Sequence, residues 1–439
     1  MQPIALHDIT PPPTRPRPAE RGGVRESPGV YRRLRRSLNA VLIGGFALLP
    51  WLTVHGRPAV WFDIPGREFH LASATFYPQE FILLALALIA AAFGLFALTA
   101  LAGRAWCGYT CPQSVWTFAF RWVEHRLEGP PARRARRATS AARCRILFKH
   151  AAWALIALST AVTLVGYFTP IRTLASELAT LALQGWALFW VGFFALVTYL
   201  NAGWLRERVC LHICPYARFQ SVMFERDTLA VGFDTARDDC IDCGLCVQVC
   251  PTGIDIRHGP QQYACLQCGA CVDACNAVME RIQKPRGLVR HTTQRRLEGS
   301  APARLRPRLL GYLAAFSLAL AALVLTLDQR VPVSFEAERA RATLYAPAAG
   351  GQTRNDYRLT VRNRDRKAQT YRLSVEGLPG ARLETTALTV PAGATRSQVV
   401  SVTAPASSDA FSRPFDFVLE AEPALRVERA SRFLSGERR

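Results

Sequence analysis

The chain has 439 residues, of which 50% are hydrophobic and 20% charged, with 54 Lys and Arg against 33 Asp and Glu and 13 cysteines. That length allows two or three domains. Five uncharged runs, Ser37–Val54, Phe81–Gly103, Ala151–Ile171, Leu178–Trp204 and Leu309–Leu327, are each long enough to span hydrocarbon, which excludes a wholly soluble protein. Only Lys149, Lys284 and Lys367 are lysines, so the positive excess is almost all arginine, and no nucleic-acid partner is inferred from it.

Residues 1–36, with Pro11–Pro13 and the basic run Arg32–Arg36, read as a disordered basic leader. Ser37–Val54 starts too late for a secretory signal and has no small-x-small cleavage site after it, so it reads as an uncleaved anchor, broken by Gly44, Gly45 and Pro50. Residues 37–204 then hold four spans and 309–327 a fifth. Eight basic residues precede the first span, ten lie in Arg104–His150 and fifteen in Leu205–Arg308, against two in His55–Glu80 and one in Arg172–Glu177. Short loops rich in Lys and Arg stay in the cytoplasm, so the leader and the two long loops are placed there. The residues after Leu327 then lie on the periplasmic side of a bacterial inner membrane. The tail's eighteen basic and 13 acidic residues do not oppose this, because large translocated domains are exempt from the rule.

All 13 cysteines precede residue 276, and twelve sit at close, regular spacings on the side read as cytoplasmic, where disulfides are disfavoured. Cys107-Gly-Tyr-Thr-Cys111-Pro112 follows the second span; Cys210-Leu-His-Ile-Cys214-Pro215, within segment 205–235, follows the fourth. If each span's helix continues, an i, i+4 pair puts both sulfurs on one face, a turn apart. The proline fits a helix boundary or kink. Two soft thiolates so placed suit Cu(I), or act as a redox dithiol. His212 reads as a surface residue, and the solitary Cys144 is given no role.

Residues 236–285 contain Cys240-x-x-Cys243-x-x-Cys246-x-x-x-Cys250-Pro251 and Cys265-x-x-Cys268-x-x-Cys271-x-x-x-Cys275. This is the spacing of a two-cluster ferredoxin, in which the fourth cysteine of each run ligates the other cluster. Cluster one therefore takes Cys240, Cys243, Cys246 and Cys275, and cluster two takes Cys265, Cys268, Cys271 and Cys250. Gly244, Gly253 and Gly269 allow the backbone to approach. The rival, a pair of four-thiolate zinc sites, does not need three close cysteines plus a distant fourth twice over. Asn276 stands where a second proline is expected, which touches a turn and no ligand.

Trp106, Tyr109, Trp116, Trp122, Trp186, Trp190, Trp204 and Tyr216 cluster near the span ends and read as interfacial belts. No span contains Asp, Glu, Lys or Arg, which leaves an ion pathway unsupported. A Walker loop, a nucleotide-binding glycine fingerprint and a buried histidine pair for haem also find no support. Electron transfer is the chemistry these residues do support.

From about Val331 to residue 439 the pattern turns to short alternating segments: Tyr357, Leu359, Val361; Tyr371, Leu373, Val375; Leu388, Val390; Val400, Val402; Phe415, Phe417, Leu419. Period-two alternation marks half-buried strands. Turn signals at Asn363–Asp365, Gly377–Gly380, Pro391–Gly393 and Pro405–Asp409 space them as an antiparallel sandwich of roughly 100 residues, a structural or docking module.

The words around the cysteines are more specific. Trp106-Cys-Gly-Tyr-Thr-Cys-Pro-Gln-Ser-Val-Trp-Thr117, Arg208-Val-Cys-Leu-His-Ile-Cys-Pro-Tyr-Ala-Arg-Phe-Gln220 and the double run ending Ala274-Cys-Asn-Ala-Val-Met279 resemble the CcoG/FixG/RdxA family of membrane polyferredoxins. These are accessory proteins of cbb3-type cytochrome c oxidase. The resemblance covers the chain from about Tyr31 to its end. It implies a multi-domain inner-membrane protein: a helical bundle of about five spans, an inserted cytoplasmic α+β ferredoxin domain with two [4Fe–4S] clusters, and an immunoglobulin-like C-terminal domain. The implied role is a cupric reductase, supplying the oxidase with copper by reducing Cu(II) to Cu(I). Cys107, Cys111, Cys210 and Cys214 then match the copper-handling cysteines, and the implied partners are oxidase assembly factors, a copper-exporting ATPase and a cytoplasmic electron donor. Two other readings of the same residues are an electron conduit between quinol and a respiratory enzyme, and an assembly scaffold with structural clusters.

Overall fold

The computed structural model describes residues 23–435 apart from 55, 73, 130–139, 304, 330, 332, 341–343, 366, 406–410 and 422–424. The leader's residues 1–22, the arginine-rich stretch 130–139 and the turn beyond Pro405 therefore lie outside the described residues. The chain divides into two units, 1–324 and 325–439.

The first unit opens with helix α1, Val30–Leu48. Asp273 holds its start, accepting from the N–H groups of Tyr31 (3.2 Å) and Arg32 (2.8 Å), the orphan donors that every helix N-terminus presents. At the other end the Tyr167 hydroxyl donates to the Phe46 carbonyl at 2.8 Å. A small antiparallel sheet follows, β1 (Val60–Asp63), β2 (Glu68–Leu71) and β3 (Ala74–Phe76). Phe62 N–H donates to the carbonyl of that same Tyr167 (2.7 Å). Helix α1 thus runs from the ferredoxin segment at one end to this sheet at the other.

Among the described residues four helices are long and apolar enough to cross a membrane. They are α2 (Phe81–Ala102), the Arg143–Val165 part of a longer helix, a helix covering Gly185–Leu205, and one covering Pro307–Asp328. Phe81, Ile82, Leu84, Leu88 and Ile89 are all exposed on α2; a helix apolar all round belongs in lipid or a large core. The run at Ser37–Val54 is not one of the four, because Arg32, Arg33, Arg35 and Arg36 fill the first half of α1 and a 3₁₀ turn with Pro50 ends it.

Three sequence boundaries shift. Arg104–His150 is more than a basic loop: a short α3 (Ala105–Tyr109) leads to α4 (Pro112–Glu128), which packs along α5 (Ser140–Val165). Trp116 Nε1 donates to Thr160 Oγ1 (2.9 Å), Phe120 stacks on Trp153 (5.5 Å), and Lys149 pairs with Glu128 (2.7 Å). The belt aromatics are therefore divided, with Trp116 turned inward and Trp186 and Trp204 exposed. The third run stops at Val165, and Arg172–Glu177 is no loop but part of α6 (Ile171–Ala179), which Pro170 caps. Its Ile171 and Leu174 are buried with Ala161, Val165, Leu183 and Val191. The fourth run begins as α7 (Gly185–Thr198) and ends in a π-helical turn, Tyr199–Leu205.

A second π-helical turn, Val209–Ile213, leads to α8 (Pro215–Met223). The ferredoxin segment is closed by strands β4 (Ala230–Phe233) and β5 (Val289–Thr292), paired antiparallel, so it extends beyond 236–285 on both sides. Between them lie α9 (Leu245–Gln248) and α10 (Ala270–Arg281) over a core of Val231, Ile256, Val272 and Val289. Helix α11, Pro307–Asp328, ends this part of the chain.

The second unit is the sandwich. One sheet has the order Arg382–Leu383, Thr395–Pro405, Gln352–Asn363, Val333–Arg339, with Ala346–Ala348 also on Gln352–Asn363. The other has Ala387–Val390, Gln369–Glu376, Ser412–Ala421, Leu425–Leu434. The alternating residues Tyr357, Leu359, Val361, Tyr371, Leu373, Leu388, Val390, Val400, Val402, Phe415, Phe417 and Leu419 form its core. Val333–Arg339 and Leu425–Leu434 carry too many charged side chains to be recognised by alternation, and both stand at sheet edges.

The cap on α1 gives a local test. Asp273→Ala removes the acceptor of two backbone donors, which costs about 1 kcal/mol. Amide exchange at residues 31–33 should accelerate about fivefold, while iron content stays unchanged. Unchanged exchange would show that the carboxylate does not hold the helix.

Candidate redox centre

The two ferredoxin runs fold alike. Asp242 and Gln267, at the same place in their Cys-x-x-Cys loops, have φ of 50° and 52°, and Gly244 and Gly269, directly after the second cysteine, have φ of 65° and 72°. Alternating left- and right-handed backbone turns successive N–H groups inward to form an anion-binding nest, a feature of many iron–sulfur sites. Individual donors reach the sulfurs: Gln267 N–H to Cys265 Sγ at 3.4 Å, and the Thr252 hydroxyl 3.3 Å from Cys250 Sγ.

The two ferredoxin runs meet in the fold. A cavity of about 20 Å³ is lined by Cys246 and Cys250 from the first run together with Cys265, Cys268 and Cys271 from the second. Burial raises the Cys271 thiol, and after burial the groups that raise it most are Cys265, Cys268 and Cys250. Burial also raises Cys275, against the pull of the Val289 N–H, with Cys243 and Cys240 adding to the rise. Cys246 is pushed up to about 12 by burial, then by Asp255, with Cys275 a smaller contributor. Cys240 and Cys243 are exposed, whereas the second set is partly buried. Among the described residues no three His, Cys, Asp or Glu gather closely enough to share one ion. The donor set, the inward N–H groups and the glycine positions all fit a [4Fe–4S] cluster.

The four cysteines of the C-x-x-x-C-P segments also converge. Their pairs are not on one continuous helical face. The helix breaks before the second cysteine, so that Cys111 (φ −59°, ψ 128°) and Cys214 (φ −70°, ψ 114°) are N-caps of α4 and α8, with Pro112 and Pro215 as first helical residues; proline favours that position because its missing N–H would be unpaired anyway. Cys107 is pushed up to about 11 by burial, opposed by Arg104 and reinforced by Cys111 and Cys214. Cys210 is pushed up to about 12 by burial, then by Cys111, Cys107, Glu207 and Cys214. Cys107 Sγ donates to Gln220 Oε1 at 3.5 Å. His212 and Cys144 are exposed, apart from this group.

This thiol group adjoins the second ferredoxin set. A Cβ on Gly108 would sit 2.7 Å from the Leu266 carbonyl and 3.2 Å from Cys268 Cα. The Tyr263 hydroxyl donates to the Leu211 carbonyl at 3.3 Å, and Arg104 N–H donates to Gln267 Oε1 at 2.9 Å. A second cavity, of about 30 Å³, is lined by Cys107, Cys210 and Cys268 with Asn39, Thr117 and Arg35 among others, so Cys268 borders both cavities. Asn39 Nδ2 and Thr117 Oγ1 are buried there without hydrogen-bond partners among the described residues. The sequence reading missed Arg104, Gly108, Tyr263, Gln267, Asn39 and Thr117; Gly108, enclosed between Cys107 and Tyr109, was the only local signal.

An apolar helical bundle carrying [4Fe–4S] modules and a separate β sandwich defines a membrane iron–sulfur electron-transfer protein. A model described as 4Fe-4S dicluster domain matches residues 205–239 and 235–294, one described as 4Fe-4S binding domain matches 84–127, and one described as the IG-like fold at the C-terminus of FixG matches 323–436. The chain is 38% identical to protein RdxA of Cereibacter sphaeroides over 88% of its own length and 89% of that protein. It is 31% identical to the nitrogen fixation protein FixG of Rhizobium meliloti over 80% of its length and 78% of that protein. It belongs to the FixG/RdxA family. A crystal structure of a FixG-related protein from Vibrio parahaemolyticus aligns at 25% identity and TM-score 0.23, covering 24% of this chain and 98% of that one.

The crossing of ligands has a direct test. Cys275→Ala and Cys243→Ala should each remove the same half of the iron and leave the same residual EPR spectrum, while Cys250→Ala should leave the complementary one. If Cys250→Ala gave the Cys243→Ala spectrum instead, each run would ligate its own cluster.

Proposed function

We propose that this protein reduces Cu(II) to Cu(I) at the membrane for copper delivery during assembly of a cbb3-type oxidase. The observation that carries this reading is the shared border at Cys268, which puts the thiols of Cys107 and Cys210 beside the second cluster set. Cys240, Cys243, Cys246 and Cys275 would hold one cluster, and Cys250, Cys265, Cys268 and Cys271 the other. A cluster bound there would supply single electrons, one for each Cu(II) reduced to Cu(I), with a reduced cytoplasmic carrier oxidised by one electron in exchange and no atom transferred.

The chain's own residues do the rest. Cys107, Cys111, Cys210 and Cys214 offer soft thiolates, which favour Cu(I) over Cu(II) and raise the couple; two suffice for a two-coordinate Cu(I). Asn39 and Thr117 offer polar atoms to the hydration of an incoming ion. Burial keeps the Cys107 and Cys210 thiols protonated, so metal uptake there would release protons. The exposed Cys240 and Cys243 favour entry of electrons at the first set, and Gly108 keeps the exit in contact with the thiols. Cys107 and Cys210 put soft sulfur donors on the cavity that Cys268 borders, which favours copper over a quinone ring as the substrate there.

The topology that serves this reading has five passes. Helix α1 is the first, its ends tied to opposite ends of the bundle. The ferredoxin segment faces the cytoplasm and the β sandwich the periplasm, where a copper-exporting ATPase and oxidase assembly factors would receive the product.

Under anaerobic conditions, reduced protein mixed with stoichiometric Cu(II) should lose its cluster EPR signal as Cu(I) appears in a colorimetric chelator assay, one electron per copper. Cys210→Ala/Cys214→Ala should keep its iron–sulfur spectrum and lose this activity. Retention of activity in that variant would remove the pair from the mechanism. Clusters that stay reduced beside Cu(II) but are reoxidised by quinone would replace copper reduction with the quinol conduit.

A further inference from the structure

Arg104 sits between α2 and α3 and is 1% exposed. It touches three separate parts of the site. Its backbone N–H donates to Gln267 Oε1 in the Cys265–Cys268 loop (2.9 Å), its guanidinium donates to the Ala217 carbonyl in α8 just after Cys214 (2.6 Å), and it lies 5.1 Å over the ring of Tyr263. It also introduces the turn that carries Cys107. Its Nε is buried with no hydrogen-bond partner, and no carboxylate pairs with it among the described residues. By contrast, Arg121 pairs with Glu207 and Arg206 with Glu124.

A buried charge without a counter-ion is strongly unfavourable. Its backbone bond to Gln267 and its place over the Tyr263 ring set Arg104 beside the Cys265–Cys268 loop. Thiolates and a thiolate-ligated cluster are anionic, and a cluster becomes one charge more negative when reduced. We propose that Arg104 is a positioning residue for charge, a counter-ion of the second cluster set, which stabilises the reduced state of the cluster held by Cys250, Cys265, Cys268 and Cys271 and so raises its reduction potential. This rests on the assignment of that set to a cluster. The consequence is an ordering of the two centres, with the set nearer the thiols made the better electron acceptor.

The test uses the full-length protein, with iron and sulfide quantified and both clusters titrated by EPR. In Arg104→Gln one of the two one-electron steps should move down so that the oxidised-to-reduced ratio at its former midpoint rises about tenfold, equivalent to about 59 mV, while the other step stays. Arg104→Lys, which keeps the charge, should restore most of that shift. Fully loaded Arg104→Gln with neither step moved, or with both moved equally, overturns the proposal. If Arg104→Gln does not load, Arg104→Gln/Gln267→Lys decides: loading with the parental titration supports a role for charge, and failure to load establishes a purely structural bracket instead. Iron content unchanged by Cys265→Ala would overturn the underlying cluster assignment, and this proposal with it.

Discussion

The contact on which the site depends is the approach of Gly108 to the backbone of Leu266 and Cys268, where a side chain would meet the carbonyl at 2.7 Å. Backbone against backbone is the closest packing two segments can reach, and only glycine permits it. This contact seats the ferredoxin module on the helical bundle. The hydrogen bonds from Arg104 to Gln267 and from Tyr263 to Leu211 then fix its orientation. Without the contact, the clusters and the C-x-x-x-C-P thiols would be two sites on one chain rather than one route.

Burial has opposite effects along that route. The first cysteine set includes the exposed Cys240 and Cys243, the second is partly enclosed, and Cys107 and Cys210 are raised by burial to about 11 and about 12. Thiols held so high are neutral at physiological pH, which protects them from oxidation. Arg104 stands apart from that pattern, a buried cation with no carboxylate partner among the described residues, held beside the Cys265–Cys268 loop.

The membrane part follows a different rule. Its four long helices need only length and apolarity, and they show large side chains to the outside. Helix α1 is the mixed case: four arginines occupy its first half, yet Asp273 and Tyr167 anchor its two ends at opposite ends of the bundle. Hydrogen bonds at its termini, rather than hydropathy, set its position.

The sequence alone determined what depends on local pattern. Cysteine spacing gave the ferredoxin module, because short Cys-x-x-Cys loops have few ways to close. Period-two alternation gave the sandwich core from Tyr357 to Leu419, and hydrophobic length gave the four long apolar helices among the described residues, though not the fifth run at Ser37–Val54. The edge strands, the helix at Ile171–Ala179 and the packing of α4 on α5 were hidden, since their residues are charged or mixed and their burial comes from distant neighbours. Only the tertiary structure decided that the two C-x-x-x-C-P pairs form one group, that each breaks its helix rather than sharing a face, and that this group touches the second cluster set. Those facts rest on contacts between residues more than a hundred positions apart, such as Cys107 with Gln220 and Arg104 with Gln267, and no local pattern encodes which distant segments will meet.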